Sequence, residues 1–138
     1  MVGLKHIYSL LVLGVVCFFG NAQDCTLDIG GKSSETIIKI FQLNEEQIGK
    51  MESWSAQLNT ETSLIEDQIK LLLDEHPQET PDDLALLAKK YNTLKEQIVN
   101  TSKEYDKKLI ALFNERQYQR YSDLCHAAFR KPIMVNPE

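Results

Sequence analysis

The chain has 138 residues, of which 43% are hydrophobic and 25% are charged, and this size and composition predict one small globular domain. Its formal net charge is −5 at pH 7. An acidic chain repels nucleic acid and anionic lipid, which argues against a general polyanion-binding role.

Residues 1–22 have the layout of a secretory signal peptide. A short segment with Lys5 precedes an apolar stretch at 7–19, and Gly20 and Ala22 place small residues at the −3 and −1 positions of a cleavage site. An uncleaved anchor is the alternative, but the stretch is shorter than the roughly 20 residues that span a bilayer. We therefore expect a periplasmic or secreted protein that is cleaved near Ala22 and has no stable membrane insertion afterwards.

Cleavage would leave two cysteines, Cys25 and Cys125. In an oxidising compartment an even pair predicts a disulfide. On the chain-entropy model, so long a closed loop would stabilise the fold by about 4–5 kcal/mol. Two unpaired thiols, or a bridge between two chains, are the alternatives.

The mature chain is predicted to begin with an irregular arm at 23–32, which contains two adjacent glycines, followed by a helical domain at 33–129. After a short first helix, Asn44 can cap the next helix and Gln47 can complete a capping box with it. Leu43 precedes the cap and can form a hydrophobic staple with the following turn.

Two long amphipathic helices follow. Apolar residues recur at steps of three and four from Ile48 to Leu72, and again from Leu84 to Leu112. The segment at 76–81 contains two prolines, which end the first helix and start the second. Two helices of equal length joined by a short turn predict an antiparallel hairpin with coiled-coil-like packing.

The capping pattern then occurs a second time, with Phe113, Asn114 and Gln117 at the positions of the first copy. It predicts a C-terminal helix that ends near 129. Residues 130–138 have two prolines and no periodicity, which predicts a flexible tail. The expected fold class is therefore all-α: a long antiparallel helical hairpin with a short N-terminal helix and a C-terminal helix.

The sequence offers no recognisable catalytic residues. Its scattered histidines and cysteines lack metal-ligand spacing, and no phosphate-binding loop or nucleophile elbow is present. We therefore expect no enzyme activity, no metal and no cofactor. Three aromatic residues, Trp54, Tyr91 and Tyr105, are either core residues or anchors for a client polypeptide, since aromatic side chains dominate binding surfaces.

The two motif copies, Leu43-Asn44-Glu45-Glu46-Gln47 and Phe113-Asn114-Glu115-Arg116-Gln117, flank a long helical hairpin in a chain with an export signal. This arrangement resembles the Leu-Thr-x-x-Gln motifs of the Spy/CpxP family of periplasmic proteins, over roughly residues 37–129. Asn replaces Thr in both copies and Phe replaces Leu in the second. The resemblance implies a cradle-shaped helical protein of the bacterial envelope, often a homodimer, that acts as an ATP-independent chaperone or in a stress response.

These expectations give two functional hypotheses. In the first, an exported binding protein holds partner or partly unfolded polypeptides without ATP. In the second, the apolar stripes are fully covered in a coiled-coil assembly, and the protein has a structural or dimerisation role in the cell envelope.

Overall fold

The computed structural model describes residues 23–135. The predicted signal peptide at 1–22 and the last three residues of the predicted tail lie outside this range. The export signal therefore stays a prediction.

The described chain is all-α, which confirms the expected fold class. The helices, in chain order, are α1 (Ser34–Phe41), α2 (Glu45–Glu75), α3 (Pro81–Ala111) and α4 (Glu115–Ala127). The two long helices pack against each other as an antiparallel hairpin. Each has 31 residues and so extends over about 46 Å.

Capping boxes begin α2, α3 and α4. At the start of α3, the Thr80 hydroxyl accepts a hydrogen bond from the Asp83 amide at 3.1 Å, and Pro81 occupies the first turn. The preceding helix ends at Glu75, and the backbone of its C-cap residue His76 is extended (φ −73°, ψ 132°) because Pro77 disfavours the helical conformation there. Helix ends are thus set mainly by local side-chain chemistry.

The hydrophobic core lies at one end of the hairpin, which we call the base. There the arm at 23–32, α1 and α4 surround the start of α2 and the end of α3. The core side chains that are at most 1% exposed are Ile29, Met51, Leu109, Ile110, Tyr121 and Cys125. The opposite end, the tip, contains the turn at 76–80. There each long helix packs only against the other long helix.

The tail does not match its prediction. Over residues 130–135 the chain packs on the base instead of being loose: Ile133 is buried, and Lys131 forms an isolated parallel bridge with Asp24. The Cys25 amide donates to the Lys131 carbonyl at 2.8 Å, and the Lys131 amide donates to the Gln23 carbonyl at 2.9 Å. Long-range pairing of this kind leaves no periodic pattern in the sequence.

Within residues 23–135 no helix is both long enough and apolar enough to cross a membrane.

Candidate functional site

The two motif copies meet at the base through their glutamines. The Gln47 side-chain amide donates to Gln117 Oε1 at 2.8 Å, and the Gln117 amide donates back to Gln47 Oε1 at 2.9 Å. Their second N–H groups donate to main-chain carbonyls, that of Leu112 at 2.8 Å and that of Phe41 at 3.1 Å. Each glutamine therefore binds the chain that precedes the other copy of the motif.

The same glutamines also complete their own capping boxes. Gln47 Oε1 accepts from the Asn44 amide at 3.0 Å, and Gln117 Oε1 accepts from the Asn114 amide at 3.0 Å. A primary amide has two donors and two acceptor sites, and here all of them are used. The buried pair is saturated and has no group left for a ligand, so we assign it a structural role in joining the two halves of the fold.

The apolar members of the motif stabilise this junction. Leu43 is buried, and the Phe113 ring lies 4.9 Å from the Phe41 ring centroid and 6.3 Å from that of Tyr121. Aromatic pairs at such distances stabilise a core beyond their area burial. The motif residues thus stabilise the base in two ways: Leu43, Phe113 and the glutamines pack or bond there, and the exposed Asn44 and Asn114 cap its helices.

A buried carboxylate holds the N-terminal arm. Asp106, on α3, is 1% exposed and accepts hydrogen bonds from three consecutive amides, those of Leu27 at 2.8 Å, Asp28 at 3.2 Å and Ile29 at 3.2 Å. Burial raises the pKa of Asp106, and the three N–H donors oppose that rise. The arm is thereby fixed against the hairpin, with the Ile29 side chain in the core.

The arm and the tail are also joined to α4. Cys25 and Cys125 are paired at bonding distance, with 5.7 Å between their Cα atoms, as the sequence predicted. The Tyr121 hydroxyl joins the arm to the tail: it donates to the Cys25 carbonyl at 2.6 Å and accepts from the Ile133 amide at 2.9 Å. Burial raises the pKa of Tyr121 to about 12. These contacts close the base around the core.

The three aromatic residues considered as client anchors are placed differently from one another. Tyr105 is 5% exposed, and its hydroxyl donates to Glu61 at 2.5 Å, so its assignment as a surface anchor is wrong. Trp54 is half-buried and packs against the core, while Tyr91 is half-buried on the hairpin. The structure does not bring the three together into one surface.

Apolar exposure lies elsewhere, on leucines of the hairpin that are not among the predicted site residues. A groove of about 680 Å³ runs between α2 and α3 near the tip, and its lining includes Leu71, Leu72 and Leu94. Leu64 and Leu86 lie one or two turns along their helices from lining residues, on the same helical faces. Leu64 is 61% exposed, Leu71 56% and Leu86 48%.

The sequence did contain a signal for this surface. Three consecutive leucines at 71–73, and the leucines at 84, 86 and 87, cannot all face one seam, because successive helical residues point about 100° apart. We call the groove together with Leu64, Leu71 and Leu86 the leucine face.

Within 23–135 no group of three or more His, Cys, Asp or Glu side chains could hold a metal ion. Comparisons with family models, curated proteins and solved structures give no match for this chain. The resemblance to the Spy/CpxP family therefore depends on the motif residues alone.

Proposed function

We propose that the protein is an exported, non-catalytic binding protein that holds extended, partly unfolded polypeptides on its leucine face without ATP, in the manner of Spy/CpxP envelope proteins. The observation that carries the proposal is the exposure of Leu71 on the groove, with the exposed Leu64 and Leu86 next along the same helical faces. Contiguous exposed apolar surface on a small protein is typical of an interaction site.

The arm offers an intramolecular precedent for this kind of binding. It lies without regular secondary structure on the hairpin, where Ile29 is fully buried. A Cβ on Gly30 would come within 2.6 Å of Leu58, so the arm backbone is in close contact with α2. Main-chain amides supply the polar contacts to Asp106, so this part of the docking does not depend on the identity of the arm's side chains.

The leucine face has the groove but no segment in it among the described residues. The groove is bordered by polar residues of both signs, including Glu75 and Lys90, which can bind main-chain amides and carbonyls of an extended client. A client would thus place apolar side chains on the leucines and its backbone against the polar border. The location outside the cytoplasm is proposed from the predicted leader and is compatible with the cysteine pair.

The test is suppression of aggregation of a reduced, unfolding client protein at equimolar ratio. We expect the oxidised wild-type protein to suppress light scattering, and the triple variant L64S/L71S/L86S to lose most of this effect. A matched control is L73S/V99S/L124S, which removes three exposed apolar side chains that lie outside the leucine face. No suppression by the wild type, or equal losses in the two triple variants, would contradict the proposal.

The same exposed leucines favour one second candidate, a dimerisation protein in which two copies cover each other's leucine face. Sedimentation and apolar-dye binding separate the two. A wild-type dimer that binds no dye, with a monomeric L64S/L71S/L86S variant, would establish the structural role in place of client binding.

A further inference from the structure

A second concave site lies at the base, between the end of α1 and the start of α4. It is a pocket of about 380 Å³ and is lined by Lys39, Ile40, Phe41, Gln42, Asn114, Arg116, Gln117 and Arg120. Three of these residues are cations, contributed by two helices. Arg116 and Arg120 are one turn apart on α4, and Lys39 belongs to the last turn of α1.

None of these three cations forms an ion pair within the part of the chain that the structure describes. The ion pairs there join Lys50 to Glu46, Lys103 to Asp24 and Lys107 to Glu104. Two acidic residues of α4, Glu115 and Asp123, line a neighbouring cavity that Arg116 and Arg120 also line, but they do not line this pocket.

The pocket also concentrates a residue type that is rare in this chain. The sequence has three arginines, Arg116, Arg120 and Arg130, all within or just after α4, although the protein is acidic overall. Like charges held close together repel, and the repulsion is relieved when an anion binds between them.

We propose that this pocket binds a phosphate monoester. Guanidinium groups present planar pairs of N–H donors that match phosphate oxygens, and an ammonium group adds a point charge. A phosphate monoester is mostly a dianion at neutral pH and has three free acceptor oxygens, so it can engage Arg116, Arg120 and Lys39 together, whereas a carboxylate has one charge and two oxygens. The pocket is larger than one phosphate group, and Ile40 gives its organic substituent an apolar contact.

The polar wall formed by Gln117 is not part of the recognition. Both of its side-chain N–H groups already donate, to Gln47 and to the Phe41 carbonyl. The phosphate would therefore be held by the three cationic side chains. This site is separate from the leucine face at the other end of the hairpin, and it stands or fails independently of client binding.

The experiment is a titration of the oxidised protein with phenyl phosphate, followed by the backbone amide signals of Ile40 and Gln117 in NMR spectra. Phenol is the neutral control ligand. We expect saturable shifts with phenyl phosphate that weaken as salt is added, and none with phenol. The double variant R116Q/R120Q should bind at least tenfold more weakly, since hydrogen bonds to charged groups contribute strongly and tenfold corresponds to about 1.4 kcal/mol.

The variant R130Q makes the same chemical change at an arginine outside the pocket and should bind like the wild type. All three arginines are exposed, so the variants should fold, which circular dichroism checks. A parallel arm uses vesicles of phosphatidic acid and of phosphatidylcholine: arginine-dependent binding to the first alone would identify a lipid headgroup as the source of the phosphate. The absence of saturable shifts in the wild type, or equal affinities of R116Q/R120Q and R130Q, would overturn the proposal.

Discussion

The saturated glutamine pair makes Gln117→Leu a sharp test of how the base is held together. The substitution removes four hydrogen bonds and strands one N–H group of Gln47 and the carbonyl of Phe41 in a buried site. A buried polar group left without a partner costs about 1–3 kcal/mol. The free energy of unfolding should therefore fall by about 2–5 kcal/mol, measured by urea denaturation of the oxidised protein.

The decisive quantity is the coupling with Gln47→Leu. Each single variant strands one amide N–H group and one carbonyl, whereas the double variant strands only the two carbonyls, of Phe41 and Leu112. We expect the double variant to be more stable than the sum of the single losses predicts, by about 2 kcal/mol. Gln97→Leu, at an exposed position on α3, is the control and should change stability by less than about 0.5 kcal/mol. Additive losses would refute the inference that the two side chains depend on each other.

Three further predictions concern the arm and the base. Reduction of the disulfide, or replacement of both cysteines by alanine, should lower the free energy of unfolding by about 4–5 kcal/mol, because the cross-link joins residues 100 apart; urea denaturation with and without reductant measures this. Gly30→Ala should destabilise the fold, since its Cβ would lie 2.6 Å from a buried Leu58 methyl group. Gly49→Ala has open space around it in a helix and should stabilise the fold by about 0.5–1 kcal/mol. Thermal melts measure both variants, and shifts of the melting temperature with the same sign would contradict this prediction. The folded-state pKa of Tyr121 is raised to about 12 from 10.0. The contribution of its neutral hydroxyl to stability is therefore present below a pH of about 10 and is lost as the pH rises towards 12. Alkaline denaturation should show this loss in the wild type and a smaller one in Tyr121→Phe.

The architecture followed from local patterns because it is set by local chemistry. Asn44 and Gln47 lie three residues apart, and Thr80 precedes Pro81, so each helix start could be inferred without knowledge of the rest of the chain. The three-four spacing of apolar residues then required a partner helix, and the short turn at 76–80 supplied it.

The contacts that close the base could not be inferred in this way, because they join positions far apart in the sequence. Asp106 is one of many acidic residues on the helices, and only the folded arm distinguishes it from a solvated one. The pairing of Gln47 with Gln117 is likewise invisible in either capping box alone, although the repetition of the motif could have suggested it. Lys131 and Ile133 lacked any periodic pattern, and the tail was wrongly expected to be loose as a result.

The candidate surfaces also divide into features that local sequence predicts and features that need the folded chain. Tyr105 has the residue type of an anchor, but burial and its bond to Glu61 remove it from the surface. The leucine face arises where the apolar content of two helices exceeds what one seam between them can bury, which a count of leucines at the tip could have revealed. The cationic pocket needs α1 and α4 to meet, and no local pattern predicts that meeting.

The parallel bridge between Asp24 and Lys131 has a practical consequence for how the molecule can be attached to anything else. The two segments lie side by side at the base, roughly 46 Å of helix away from the turn at 76–80. A label, resin or fusion partner added at either terminus would therefore sit at the foot of the molecule and leave the far end of the two rods unobstructed. Opening the chain at that turn and joining residue 135 to residue 23 through a linker would give a circular permutant with an unchanged core.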